Sequence, residues 1–261
     1  MKYALGVEYR GTGYCGWQRQ PHCDSVQQNL EQALSFVADH EVELVCAGRT
    51  DSGVHALQQV AHFESASERS ERAWVLGANC RLPRDIRILW VKPVSDDFHA
   101  RFGAKSRSYR YLISNGAVAS AVFHDLSAWE FRPLDADAMH RSAQLLLGEH
   151  DFSSFRAVGC QARSSSREVQ QISVQRQGDM IVLDIRANAF LYHMVRNIAG
   201  SLIAVGRGEL NADEFQHIFE ARDRNLAAPT AAAGGLYFLF ASYDDCYKLP
   251  TGNQKPVLFG L

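Results

Sequence analysis

The order of hydrophobic patterns predicts an α+β protein: two similar α/β subdomains with antiparallel sheets, joined side by side. Three observations carry this. Residues 3–9 alternate, with Tyr3, Leu5, Val7 and Tyr9 on one face, as in a half-buried strand. A β-α-β-β-α-β order of patterns is followed by α-β-β-α-α-β, with no repeat at the level of the residues. Two apolar runs, Val169 to Val174 and Met180 to Ile185, flank Gln177-Gly178-Asp179, which reads as a hairpin.

In order, Ser25 and Gln28 form a capping box for a helix whose apolar face holds Val26, Leu30, Ala33, Leu34 and Val37. Val42 to Cys46 and Val54 to Phe63 read as strands on either side of a short polar excursion. Ser70 to Cys80 has helical character. Ile86 to Val91 reads as a strand stopped by Pro93, and Ser108 to Ile113 as a polar strand. Asn115 to Ser120 is small and polar and loosely separates two halves. Leu134 to Leu147, Phe190 to Val205 and Ala212 to Ala221 are expected to be helices, and Leu236 to Tyr243 a strand. Between the last two, Ala227 to Gly235 has the small residues of a flexible linker. The domain reading is 1–104 for the first α/β domain, 105–246 for the second and 247–261 for a loosely packed tail.

The chain has 261 residues, 46% of them hydrophobic, enough for a substantial core. No apolar run is long enough to span a bilayer and none resembles a signal peptide, so neither a membrane nor export is expected. The six cysteines, at 15, 23, 46, 80, 160 and 246, form no C-x-x-C pair, and scattered thiols fit a reducing cytoplasm. The formal net charge is -2, but Arg101, Lys105, Arg107 and Arg110 form a stretch without acids, and Arg156, Arg163 and Arg167 a second. A local basic groove on a neutral protein and a solvated, salt-laced surface both fit this pattern.

Val45 to Ala56, V-C-A-G-R-T-D-S-G-V-H-A, is the densest stretch of candidate chemistry. Gly48 and Gly53 bracket Arg49, Thr50, Asp51 and Ser52, and Arg49 and Asp51 project to one side of an extended chain. A carboxylate on a loop between two buried strands is rigidly presented. Asp51 has the chemistry of a nucleophile, a base or a metal ligand; a hairpin turn with a surface ion pair is the plainer alternative. His55 and His62 lie nearby, but no compact metal-ligand spacing forms. Arg196, in an apolar helical pattern, must reach solvent or an acid; a bridge to an aspartate would keep that acid ionised. Tyr109, in Lys105-Ser-Arg-Ser-Tyr-Arg-Tyr111, sits among arginines, a pattern that suits base stacking as well as an ordinary sheet face. Gly11, Gly13 and Gly16 formally satisfy G-x-G-x-x-G. No helix opens at the last glycine, so a dinucleotide site is not indicated.

Together these stretches resemble the bacterial tRNA pseudouridine synthase A family. The resemblance rests on G-R-T-D-x-G-V-H-A (Gly48 to Ala56), R-x-Y-R-Y (Arg107 to Tyr111) and N-A-F-L-Y-H-M-V-R-N (Asn188 to Asn197). It extends to G-W-Q-R-Q (Gly16 to Gln20), D-D-F-H-A-R-F (Asp96 to Phe102), G-E-x-D-F-x-S-F (Gly148 to Phe155) and A-P-T-A-x-A-x-G-L-Y (Ala228 to Tyr237), from about Tyr3 to Leu249. Cys15 and Ser52 stand where the family more often has other residues. The resemblance implies isomerisation of uridine to pseudouridine at tRNA positions 38, 39 and 40 in the anticodon stem-loop, in an active-site cleft between the subdomains. It implies Asp51 as nucleophile, Arg196 as its ion-pair partner, Tyr109 stacked on the target base, and Arg49 assisting extrusion of the uridine. It implies no metal and no cofactor, a cytoplasmic homodimer, and tRNA lying across both subunits. A catalytically silent RNA-binding protein and a nucleoside glycosidase are the competing classes.

Overall fold

The structure, a computed structural model, describes residues 1–250. The first elements are β1 (Lys2–Tyr9), α1 (Val26–Ala38), β2 (Val45–Cys46), β3 (His55–Glu64), α2 (Glu71–Asn79) and β4 (Ile86–Val94). They are followed by β5 (Ser106–Ser114), β6 (Ala128–Trp129), α3 (Ala136–Gln144), β7 (Gly148–Asp151), β8 (Ser166–Gln177), β9 (Met180–Ala187), α4 (Met194–Gly206), α5 (Ala212–Glu220) and β10 (Leu236–Ser242). The fold is α+β. The chain forms two compact units: Met1–Ser106 with the described residues from Tyr237 onward, and Arg107–Leu236. The last strand, which the sequence pattern places at the end of the second half, thus lies in the first unit. The tail expected from 247 falls, beyond Pro250, outside the described residues.

In the first unit β1 is flanked antiparallel by β3 and β4, β2 pairs antiparallel with β3, and β10 joins β3 in a short parallel pairing, Tyr237 opposite His55. Parallel pairing departs from the expected all-antiparallel sheet. Fully buried Trp74 of α2 packs edge-on to Phe63 at 5.0 Å, and Phe63 stacks on Tyr3 at 5.2 Å, so the aromatic core joins helix to sheet. Ser25 and Ser70 cap α1 and α2 by accepting from Gln28 N–H and Ala73 N–H, each worth about 1 kcal/mol.

Two boundaries differ from the pattern for physical reasons. β4 runs through Pro93, which is exposed on an edge strand where no second neighbour needs its missing N–H. Residues 42–44 are not strand, because α1 side chains take their backbone groups. Ser35 Oγ accepts from Val42 N–H, Glu31 Oε1 from Leu44 N–H, and Gln27 Nε2 donates to Leu44 O.

In the second unit β9 lies antiparallel between β5 and β8, β7 extends β8, and β6 adds a short parallel pairing to β5. Phe152, Phe155, Phe215 and Phe219 form a ring cluster beneath α5, with centroids 5.2 to 6.1 Å apart. α5 opens on a reciprocal capping box between Asn211 and Glu214. Asn115, expected in a separating stretch, is instead a buried hub. Its Nδ2 donates to Glu130 O and Arg132 O, and its Oδ1 accepts from Leu134 N–H and Arg176 Nη2.

The helix expected from Phe190 begins only at Met194. Asn188 Oδ1 accepts from Ala189 N–H and Glu168 N–H, and Tyr192 N–H is bonded to Cys160 Sγ, so residues 188–193 are held off helical geometry. His193 enters α4 at φ 59°. Ala227 to Gly235 is not a linker: it is packed along α4, so closely that a Cβ on Gly200 would lie 2.1 Å from Pro229 O.

Candidate active site

Arg49 and Asp51 belong to the first unit, Tyr109 and Arg196 to the second, and each pair is built locally. Residues 47–54 leave β2 and enter β3. Arg49 is exposed, Thr50 buried, Asp51 half-buried and Ser52 exposed, and the chain turns at Ser52 and Gly53. Behind them the loop is bound at nearly every residue. Gln59 Nε2 donates to Gly48 O at 2.7 Å, the Thr50 and Tyr9 hydroxyls are bonded at 2.7 Å, and Trp17 N–H donates to Thr50 O at 3.0 Å. Ser52 Oγ donates to Tyr14 O, and Val54 N–H closes a turn onto Asp51 O at 3.1 Å.

The glycines of the loop after β1 serve this contact. A Cβ on Gly11 would lie 1.9 Å from Val54 O, and one on Gly16, at φ 93°, would lie 2.5 Å from Thr50 O. Gly13 has nothing within 4 Å. Two of the three glycines therefore permit backbone-to-backbone packing under Asp51. Burial raises the phenol of Tyr9 well above its ordinary value, so it stays protonated, and pushes the Cys46 thiol up to about 12, where it is inert as a nucleophile.

In the second unit Tyr109 stands on β5 opposite Ile185, and its ring meets Phe190 edge-on at 4.9 Å. Arg110 is committed to Asp184 on the neighbouring strand by a two-pronged ion pair, both bonds 2.7 Å. Its charge, counted in the basic stretch around Tyr109, is thereby neutralised. Lys105 is similarly paired with Asp244 at 2.8 Å. In the second stretch Arg156 binds the carbonyls of Cys160 and Ala162, and Arg167 that of Ser164.

Because α4 starts at Met194, Arg196 falls in its first turn rather than mid-helix. A cation there opposes the helix dipole, at a cost of about 0.3–1 kcal/mol, and is retained by specific bonds. Arg196 Nε donates to Ala231 O at 2.8 Å, and Ala231 N–H returns to Arg196 O at 3.1 Å. Tyr111, on the same face of β5 as Tyr109, donates to Ala232 O, and the positive charge of Arg196 partly offsets the upward push of burial on its phenol. Below, buried Asn197 donates to Phe155 O and accepts from Thr230 Oγ1 and Arg224 Nη2. Helix dipole and guanidinium make this spot attractive to an anion.

Sequence reasoning missed Tyr9, Gln59 and Trp17 behind the Asp51 loop, and Asn197 with Thr230 behind Arg196. One signal was present: if Arg49 and Asp51 share a side, Thr50 points inward and needs a polar partner. Among the described residues no group of three or more His, Cys, Asp or Glu side chains is placed to hold a metal ion, and no helix is long and apolar enough to cross a membrane.

A family model described as tRNA pseudouridine synthase matches residues 6–103 and 142–244. A relative from Hydrogenovibrio crunogenus named tRNA pseudouridine synthase A is 55% identical over 247 residues, covering 95% of this chain and 94% of its own. Proteins of the same name from Escherichia coli and Photobacterium profundum are 52% and 49% identical, each aligned over 98% of this chain and over 95% and 98% of their own. The family model takes in the Asp51 loop and Arg196, though not Tyr109, and by it and by these relatives the chain belongs to the tRNA pseudouridine synthase family.

Proposed function

We propose that this chain isomerises uridine to pseudouridine at positions 38, 39 and 40 of the tRNA anticodon stem-loop, as a cytoplasmic homodimer without metal or cofactor. The observation that carries the reading is the relatives' identity of about one half across nearly the whole chain. The rigid presentation of Asp51 described above supports it. In this reading Asp51 is the nucleophile, Arg196 its cationic counterpart, Tyr109 the stacking surface for the everted base, and Arg49 the group that helps evert it.

The chemistry asks for little else. The C1′–N1 bond breaks, the uracil turns, and C5 bonds to C1′; C5 gives up its proton and N1 gains one. A carboxylate serves by adding to C1′, by adding to C6, or by assisting loss of the 2′ proton. Nothing is oxidised or consumed.

The test is tritium release from tRNA labelled at C5 of uridine, with the products mapped along the anticodon stem-loop. Release together with pseudouridine at 38–40 is expected. Binding without release would identify a silent RNA-binding protein, and free uracil a glycosidase; either result removes the proposal. Phosphate neutralisation should also make tRNA binding weaken steeply with salt.

A further inference from the structure

We propose that Tyr9 and Gln59 are positioning residues for the reaction, acting on Asp51 through the backbone on which it stands. Both are deeply buried polar side chains, Gln59 with no exposure and Tyr9 with 3%, in a unit whose β3 also buries His55 and His62. A buried polar group is retained at a cost unless it is bonded. Here the Tyr9 hydroxyl and Gln59 Nε2 are bonded to the 48–51 loop, while Gln59 Oε1 is buried with no hydrogen-bond partner among the described residues. The Gln59 amide holds Gly48 O at 2.7 Å, just before Arg49, and the Tyr9 hydroxyl holds Thr50 Oγ1 at 2.7 Å, just before Asp51.

These two anchors sit directly before Arg49 and Asp51, both of which are more exposed than the intervening Thr50. Fixing them fixes the direction in which both charged groups project. Trp17 N–H also donates to Thr50 O, and the Cβ-free Gly16 lies against that carbonyl. Thr50 is thus gripped through both its side chain and its carbonyl. The raised pKa of Tyr9 leaves its phenol neutral throughout the range in which a carboxylate nucleophile operates, so the grip does not vary with pH there. A displacement of about 1 Å at a reacting group costs on the order of 10²-fold in rate, so a small sag of this loop is sufficient to matter.

The experiment is a double-mutant cycle on Tyr9→Phe and Thr50→Val, each removing one hydroxyl with little change of volume, read as kcat and KM for tRNA. Each single variant is expected to lose about tenfold in kcat with KM within about twofold. The double variant should lose no more than Tyr9→Phe alone, because both substitutions delete the Tyr9–Thr50 bond and Tyr9→Phe also removes the hydroxyl's contact with Gln59. Thr50→Ser, which keeps the hydroxyl, should restore most of the rate, and Gln59→Met should behave like Tyr9→Phe. A Tyr9→Phe enzyme with full kcat, multiplicative losses in the double variant, or losses that track a falling unfolding midpoint would each overturn the proposal. It rests on Asp51 as the nucleophile, and the two claims fail separately. An active Asp51→Asn enzyme removes the nucleophile; an inactive one beside a fully active Tyr9→Phe removes only the positioning role.

Discussion

The Asp51 loop and the start of α4 are held in place by different means. The loop is gripped from below by side chains, the Tyr9 hydroxyl and the Gln59 amide, and by glycines that let another loop lie against it. Arg196 is gripped by main chain: a single residue, Ala231, both accepts from its Nε and donates to its carbonyl. Side-chain grips are written in residue types and can be removed one atom at a time. Main-chain grips depend on chain path, are indifferent to most side-chain changes, and yield mainly to residues that alter the backbone.

The contrast is tested most strongly at the two charged groups themselves. Asp51→Asn, nearly isosteric, leaves the loop's anchors in place. It should abolish turnover, by a factor of at least about 10³, while largely preserving tRNA binding. Product formation at a normal rate, followed by tritium release, would exclude Asp51 as the nucleophile. Arg196→Ala is expected to lose less, on the order of 10²-fold. Arg196→Lys should recover little of it, because lysine has no Nε–H to lie against Ala231 O and no planar fork. A lysine enzyme near full rate would mean that charge alone is needed and that the Ala231 clamp is incidental. Arg49→Ala should show the smallest loss of the three, and an unchanged rate would remove it from the site.

The ease of reading these regions from sequence follows the same division. Alternation in 3–9, the serines before α1 and α2, and the Gly178 hairpin are local signals, and the structure places elements at each. The late start of α4 was not legible, because what stops the helix is Asn188 reaching Glu168 and Cys160 reaching Tyr192, partners far away in the chain. Ala227 to Gly235 misled for a related reason. Small residues read as flexible, yet the segment lies on α4, where it is Gly200 of the helix that admits Pro229 O. Thr50 illustrates the intermediate case: its inward direction was readable from Arg49 and Asp51, but its partner Tyr9 was not.

Glycine replacements compare the two regions at the next level of effect. Gly200→Ala puts a methyl 2.1 Å from Pro229 O, a backbone atom that cannot move without shifting the segment that carries Ala231. Gly16→Ala meets Thr50 O at 2.5 Å and must also hold φ at 93°. Overpacking costs about 1–3 kcal/mol, and a left-handed backbone about 1–2 kcal/mol more for an L side chain. Gly16→Ala should therefore lower the unfolding midpoint in urea further than Gly200→Ala. Equal losses would show that the loop after β1 adjusts and is not a fixed floor under Asp51. In Gly13→Ala, where nothing lies within 4 Å, stability should hardly change.

The Tyr9 and Gln59 anchors do not titrate below neutral pH, but another buried side chain of the same unit does. His62, near the end of β3 in the first unit, accepts Ala100 N–H at Nδ1 at 3.2 Å and packs against Phe98 and His99. Burial, with the neighbouring charges of His99 and Lys2, pushes its pKa down from 6.5 to about 4, Glu64 acting in the opposite sense. The depressed value sets the sign. Above pH 6.5 the imidazole is neutral folded and unfolded, and its stabilisation is fully present. As pH falls from 6.5 toward 4 the unfolded chain takes up a proton that the folded one refuses, so stability declines, and the decline from this group ends below about 4. The urea midpoint should accordingly fall across that interval. His62→Gln, whose amide oxygen can still accept the Ala100 N–H without titrating, should flatten the fall while changing little at pH 7.5. An unaltered slope in His62→Gln would assign the acid sensitivity to other groups: His99, whose pKa burial and the Lys2 charge also lower, or the carboxylates.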